Sequence, residues 1–294
     1  MQRADHQIPA MARPAPCREH HFKPLSIPMP QPDPASVFRR VGDRIEPTGL
    51  ARGPWHPNAQ HGGAPAGLLA QIATEAVNDD TFVLQRLTLD IRKPVPIEPL
   101  TVTCARDRGR STQRVRLELI HDGQPLCVAH VLFGRSDAIG DWQADAPTVR
   151  LTPVADSTPD DVHIPGTDPG AETFHYRALE SRLAAGSVED QGPAAAWFRF
   201  RYPLIGDNEP AMSAQAVAIA DLGNGISWSV PLEDYSFAST DLTVNLWRRP
   251  ATAWIGVDSG THISALGHGC TLSDLYDEDG RIGVASQTLL IRKR

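Results

Sequence analysis

A segment that recurs once along the chain constrains the fold more than any other feature. Leu87-Thr88-Leu89-Asp90 returns as Leu242-Thr243-Val244-Asn245, and the turn Asp122-Gly123 returns as Asp279-Gly280. The offset is roughly 156 residues in each case. A period this long is typical of a duplicated domain and not of a solenoid of short repeats. The sequence therefore predicts two copies of one fold.

The first copy has a pattern of one helix followed by strands. Apolar residues recur at helical spacing from Leu68 to Val77, just after Gly62-Gly63-Ala64-Pro65. Alternating apolar and polar residues at 87–91 and 115–119 then predict strands with one dry and one wet face. Asp122-Gly123 is a typical hairpin turn, from which the chain returns through Phe133.

The second copy repeats that order. An alanine-rich apolar segment runs from Pro210 to Asp221, and strands are predicted at 241–247, 254–266, 270–276 and 282–291. A single apolar helix followed by antiparallel strands is buried only if the sheet curls around it, which is the hotdog arrangement. We therefore expect an α+β double hotdog, with two tandem units that each wrap a curved antiparallel sheet around a central helix.

Four segments follow from this interpretation. Residues 1–36 are rich in proline and predict a flexible extension, in which metal binding by His20 and His21 stays open. Residues 37–135 form the N-terminal hotdog, 136–170 a linker rich in Asp, Pro, Gly and Thr, and 171–294 the C-terminal hotdog. A chain of 294 residues suits two domains of this size.

Composition excludes several other classes of protein. The formal net charge of −7 gives no electrostatic case for nucleic-acid binding, although a local basic patch could still hold an anion. No apolar run is long enough to span a bilayer and no secretory signal is recognisable, so we expect a cytoplasmic protein. The four cysteines have no metal-binding spacing, and three of them lie in apolar strand-like segments, which suits buried thiols in a reducing compartment.

Several motifs resemble those of the TesB-like acyl-CoA thioesterases, from about Val37 to the C-terminus. They are His61-Gly62-Gly63, Ala220-Asp221, Ser239-Thr240-Asp241-Leu242-Thr243-Val244, Arg249-Pro250 and Val284-Ala285-Ser286-Gln287-Thr288-Leu289-Leu290. Together these motifs are specific, although each alone is weak. The resemblance implies an enzyme that hydrolyses an acyl-CoA to a free fatty acid and CoA.

The resemblance also implies three catalytic residues: Asp221, Ser239 and Gln287. In the family an Asp, a Thr and a Gln hydrogen-bond the attacking water. This chain has Ser239 where Thr is usual, and Thr240 would supply the hydroxyl if the strand register differed by one residue. A carboxylate accepts a proton from water, while a hydroxyl and an amide orient that water.

Each of these residues also has a purely structural interpretation. Asp221 could cap the end of a helix before Asn224-Gly225. Gln287 alone would be an ordinary strand residue, and Ser239 alone a solvated hydroxyl. Their functional meaning depends on their coming together in the folded protein.

Substrate binding is expected from His61, Gly62, Gly63 and Thr240. The two glycines allow backbone amides at the start of the first helix to approach a thioester oxygen, where the helix N-terminus offers partial positive charge. They could equally form only a tight entry turn. Because Asp221 belongs to the second copy, the sequence leaves open whether one site spans both copies or the glycines line a separate pocket.

Alternative functions remain open at this stage. One is a non-catalytic acyl-CoA or acyl-chain binding protein, and another is a structural assembly module. A hotdog enoyl-CoA hydratase is also considered, but the segment from His56 to His61 lacks the carboxylate that such enzymes carry beside their histidine. We expect no metal, since no His and carboxylate cluster at ligand spacing is found, and no Ser-His-Asp catalysis, since there is no Gly-x-Ser-x-Gly elbow. No cofactor is expected. A homo-oligomer formed through sheet edges or faces is left open.

Overall fold

The computed structural model describes residues 36–137, 151–159, 162–164, 166–168, 170–207 and 210–294. The proposed flexible extension, with His20 and His21, lies outside these residues except for Ser36. Part of the proposed linker also lies outside them, and the domain boundaries stay predictions.

Fourteen strands and three α-helices are formed by the described residues. The helices are α1 (Gly63–Val77), α2 (Met212–Ala220) and α3 (Gly223–Ile226). The strands are β1 (Phe38–Val41), β2 (Arg44–Pro47), β3 (Phe82–Ile91), β4 (Thr101–Arg108), β5 (Thr112–His121), β6 (Gln124–Arg135), β7 (Thr158–Pro159), β8 (Leu179–Gly186), β9 (Ala194–Phe200), β10 (Tyr235–Ser239), β11 (Asp241–Leu246), β12 (Ile255–Ser264), β13 (His268–Asp277) and β14 (Gly280–Lys293). A single π-helical turn, Phe174–Ala178, precedes β8.

Twelve of these strands form one antiparallel sheet, in the order β4-β5-β6-β3-β11-β14-β13-β12-β9-β8-β7, with β10 paired to β14. The two halves join where β3 pairs with β11, the two strands that carry the repeated segment. Thr88 faces Thr243, Leu89 faces Leu242, and Leu87 faces Val244. Equivalent residues thus meet about a local two-fold axis at Thr88 and Thr243. The two copies of the segment that recurs in the sequence are therefore the strands through which the two halves join.

A central helix fills each half. The first eight residues of α1 are all buried, and α1 packs against β3, β4, β5 and β6. Helix α2 is buried from Ser213 to Ala220 and packs against β12 and β13. The apolar faces of the two helices need cover, which the curled sheet and the other helix supply. The double hotdog fold predicted from the sequence is confirmed.

The two helices pack side by side in opposite directions, and this contact positions the site. A Cβ atom on Gly63, at the start of α1, would lie 2.4 Å from the carbonyl oxygen of Ala218 near the end of α2. A Cβ on Gly67 would lie 2.7 Å from the Cβ of Ala218. Glycine at both positions lets the helices approach within backbone contact. The last turn of α2 is thereby brought to the first turn of α1.

Local predictions agree with the structure at the hairpin and differ at the cysteines. Asp122 and Gly123 adopt φ angles of 48° and 72°, as a type I′ turn between β5 and β6 requires. Cys127 is buried, but Cys104 is exposed and Cys270 is partly so. The expectation of buried thiols is therefore wrong for Cys104, which lies on the outward face of β4.

Among the described residues, no helix has the length and apolar character needed to cross a membrane.

Candidate active site

Asp221 follows the last residue of α2 and keeps a helical backbone conformation, with φ −68° and ψ −15°. Its side chain is only 6% exposed. Buried carboxylates need hydrogen-bond donors, and one side chain approaches each oxygen of Asp221. Gln287 Nε2 donates to Oδ1 at 2.9 Å, and His61 Nδ1 lies 3.1 Å from Oδ2. These contacts place the carboxylate between the two halves of the fold.

Gln287 lies on the inner face of β14 and is 1% exposed. Its Nε2 donates to Asp221 Oδ1 and, at 3.2 Å, to Ser239 Oγ. Its Oε1 accepts from the backbone N–H of Asn224 at 3.3 Å. A flipped amide would turn its oxygen toward the carboxylate, so these neighbours fix its orientation. One amide therefore links the carboxylate to the hydroxyl.

Ser239 is turned inward by a bulge in the sheet. Ser239 pairs with Leu289, and Thr243 pairs with Ser286. Ser239 and Thr243 are four positions apart, whereas their partners on β14 are three apart, so one extra residue lies between β10 and β11. The extra residue breaks the alternation between β10 and β11 and re-aims the side chains beside it. Thr240 Oγ1 instead donates to the carbonyl oxygen of Thr288 at 3.3 Å. Ser239, and not Thr240, joins the group around Gln287.

Asn224 was missed in the sequence analysis, where it appeared only as part of a helix end. It lies in α3, one helical turn after Asp221, and its Nδ2 donates to Ser239 Oγ at 2.5 Å. Ser239 Oγ thus receives N–H groups from both Gln287 and Asn224. Within the described part of the chain no acceptor takes the hydrogen of Ser239, which leaves that hydrogen available to the adjoining cleft. The three-residue spacing from Asp221 was the signal available in the sequence.

Gly62 and His61 bring the first half into the same site. A Cβ atom on Gly62 would lie 2.8 Å from Asp221 Oδ2, so the carboxylate occupies the space that a side chain would fill. The His61 side chain lies beside it, only 10% exposed, and stacks on Phe174 with ring centroids 5.2 Å apart. The segment from His56 to His61 has no carboxylate of its own, but the fold brings the carboxylate of Asp221 to 3.1 Å from His61 Nδ1.

A second histidine, His175, lies behind His61, with ring centroids 6.2 Å apart. Burial, helped by the nearby His61 and His163, lowers the pKa of His175 to about 3. His175 is therefore neutral at ordinary pH and adds no charge to the site.

A cleft of about 660 Å³ opens over these groups. Asp221, Asn224, Ser239, Thr240, His61 and Gly62 all line it, and much of the remaining wall is apolar, including Trp55, Pro65, Ile91, Pro94, Val95 and Phe237. Gly63 lies just behind it, at the helix contact. Arg92 and Lys93 also line the cleft and are exposed to solvent. Three of the four residues predicted to bind substrate therefore line the same cleft as Asp221 and Ser239, namely His61, Gly62 and Thr240.

The position equivalent to Gln287 in the first half is apolar. His130 on β6 faces Thr88, as Ser286 on β14 faces Thr243, so the two-fold relation makes Val131 the counterpart of Gln287. Val131 is 2% exposed and belongs to the hydrophobic core. The first half therefore has no matching polar group at this position.

The fold and the cleft define a double-hotdog protein with a buried carboxylate, amide and hydroxyl at one opening. The sequence profile of the acyl-CoA thioesterase N-terminal domain matches residues 51–134, and that of the C-terminal domain matches residues 144–291. The chain belongs to the acyl-CoA thioesterase family and is a thioester hydrolase. A search of curated protein sequences finds no significant match.

Solved structures share the fold. A conserved hotdog-fold protein of unknown function from Alicyclobacillus acidocaldarius is 18% identical, with TM-score 0.65 over 88% of this chain and 96% of that one. Acyl-CoA thioesterase II TesB2 from Mycobacterium marinum is 15% identical, with TM-score 0.61 over 88% and 96%. The dehydratase domain of the curacin polyketide synthase module CurJ is 9% identical, with TM-score 0.51 over 79% and 83%. At these identities the likeness establishes the fold alone.

Proposed function

We propose that this protein hydrolyses an acyl-CoA by direct attack of water, with Asp221 as the general base and Ser239 and Gln287 as the groups that orient the reactants. The observation that carries the proposal is that Gln287 Nε2 is within hydrogen-bond distance of both Asp221 Oδ1 and Ser239 Oγ, and that Asp221 and Ser239 line the cleft. Three side chains from distant parts of the chain thereby act on one small volume.

In the proposed reaction, the oxygen of a water molecule attacks the thioester carbonyl carbon while Asp221 takes a proton from that water. The tetrahedral intermediate then expels the sulfur of CoA, which recovers that proton from Asp221. Ser239 receives two N–H groups, so its own hydrogen is directed to the cleft. There it donates to the water or to the carbonyl oxygen, where charge develops during the attack.

The cleft suits an elongated substrate of mixed character. Its apolar wall fits an acyl chain or the pantetheine arm, and Arg92 and Lys93 offer positive charge for the phosphates of CoA. These two residues are the local basic patch that the net charge of the whole chain conceals. A location in the cytoplasm and a role in lipid metabolism stay predictions.

The test is thiol release from short, medium, long and branched acyl-CoAs, with Asp221→Asn and Gln287→Ala beside the wild type. Asp107→Asn is a matched control, because Asp107 is an exposed carboxylate on β4. We expect Asp221→Asn to abolish turnover and Asp107→Asn to leave it unchanged. Equal rates for the wild type and Asp221→Asn would contradict the proposed role of Asp221.

A hydratase acting on an enoyl-CoA is the second candidate, because His61 and Asp221 form the histidine and carboxylate pair that the local sequence lacked. Such an enzyme adds water across a double bond and leaves the thioester intact. Loss of enoyl absorbance without thiol release would favour it. Binding of acyl-CoA with neither reaction would favour the non-catalytic binding protein.

A further inference from the structure

The contact between His61 and Asp221 has no part in the proposed water attack, yet it is among the most enclosed polar contacts of the site. The two side chains are 10% and 6% exposed, and Nδ1 lies 3.1 Å from Oδ2. An ionised carboxylate at this burial needs donors on both oxygens. Gln287 supplies the donor for Oδ1, and the ring nitrogen of His61 is placed to supply the other.

The position of His61 is fixed by its surroundings. Phe174 stacks on the ring, and the main-chain N–H of His61 donates to the carbonyl oxygen of Ala51 at 2.9 Å. The glycine at position 62 removes the side chain that would otherwise separate the ring from the carboxylate. The imidazole therefore has little freedom to turn away from Asp221.

The charge of Asp221 determines which ring nitrogen of His61 carries the hydrogen. Gly63 N–H also lies 3.1 Å from His61 Nδ1, so Nδ1 either donates to Asp221 or accepts from Gly63. Bare lone pairs of Nδ1 and of an ionised carboxylate would repel each other at the observed separation. A carboxylate that is ready to accept a proton from water thus selects the form of His61 with hydrogen on Nδ1.

We propose that His61 is a positioning residue that donates from Nδ1 to Asp221 Oδ2 and, with Gln287 on Oδ1, holds the plane of the carboxylate toward the attacking water. This inference rests on the proposed hydrolysis. It makes the catalytic base dependent on both halves, since His61 precedes α1 and Asp221 follows α2. It also replaces the expected role of His61 in binding substrate.

The experiment compares four substitutions of His61 in the full chain, using kcat and KM for an acyl-CoA that the wild type hydrolyses. His61→Phe keeps a ring to stack on Phe174 and removes the donor. His61→Asn places an amide N–H near the former Nδ1, whereas His61→Gln places it one methylene farther away. His61→Ala removes both the ring and the donor.

We expect His61→Phe and His61→Gln to lower kcat about 100-fold with little change in KM, because a base displaced by about 1 Å loses activity on that scale. His61→Asn should recover to within about 10-fold of the wild type, since it restores the donor. His61→Ala should be no more active than His61→Phe. Thermal unfolding of each variant separates loss of activity from loss of folded protein.

Two results would overturn the inference. One is a wild-type kcat in His61→Phe, which would show that His61 only packs. The other is equal activity in His61→Asn and His61→Gln, a comparison that stands even if the Phe variant does not fold. If the wild type releases no thiol, or Asp221→Asn is fully active, the proposed function itself fails.

Discussion

Gly62→Ala is the substitution that most directly tests whether the placement of the Asp221 carboxylate matters. The new Cβ would lie 2.8 Å from Oδ2 and 3.1 Å from Oδ1, whereas ordinary contact begins at 3.4 Å. The carboxylate must therefore retreat by about 0.6 Å. Such a displacement would disturb the hydrogen bond from Gln287, now 2.9 Å, which holds the carboxylate in place.

The backbone itself tolerates the change, since Gly62 has φ −58° and ψ −29°. Alanine also reduces the conformational freedom of the unfolded chain, by about 0.4–1 kcal/mol at a compatible backbone position, which offsets part of the steric strain. We expect a loss of kcat between about 10- and 100-fold, with a nearly unchanged melting temperature.

The assay is steady-state thiol release on the best acyl-CoA of the panel, beside a thermal melt. Gly49→Ala is the matched control, because no atom lies within 4 Å of the Cβ it would add. Full activity in Gly62→Ala would refute the reasoning, since the base would then tolerate displacement. A large fall in melting temperature would also refute it, because the clash would then disturb the fold and not the side chain alone.

Three further predictions concern the surroundings of the site. Gly63→Ala should lower the free energy of unfolding by about 1–3 kcal/mol in a denaturant titration, because its Cβ meets the rigid Ala218 carbonyl at 2.4 Å; unchanged stability would contradict this. Arg92→Glu should raise KM for an acyl-CoA several-fold at low salt and leave an acyl-pantetheine unaffected, since only CoA carries the phosphates; equal effects on both would argue against a phosphate contact. Stability should fall as pH drops from about 6.5 toward 3, because the unfolded chain protonates His175 while the folded chain, with the pKa of His175 lowered to about 3, does not. His175→Gln should flatten this slope in pH-dependent melts, and an equally steep slope would contradict the assignment.

The sequence carried enough information for the architecture. Hydrophobic periodicity predicted α1 and the principal strands, because burial on one face imposes a period of 3.6 or 2 on the residues themselves. The recurrence of the segment at Thr88 and Thr243 predicted the duplication, and it also marks the two strands that pair at the join. Motifs of the family pointed to Asp221, Ser239 and Gln287, whose roles stay predictions.

The choice between Ser239 and Thr240 could not be made from the sequence. Alternation along a strand tells which face of the sheet a side chain lies on only while the register is unbroken. The extra residue between β10 and β11 breaks it, and that bulge is visible only in the pairing with β14. Asn224 was overlooked for a related reason, since its partner Ser239 lies on another element.

The sequence by itself determined which segments are helices and strands, that the chain is a duplicated fold, and which residue types are available for chemistry. Tertiary structure alone decided that His61 of one half meets Asp221 of the other, through glycines that let α1 and α2 approach. The physical reason is that periodicity records local burial, whereas contacts between distant residues depend on how the packed elements are oriented. No spacing along the chain encodes the contact of His61 with Asp221, because it depends on that orientation.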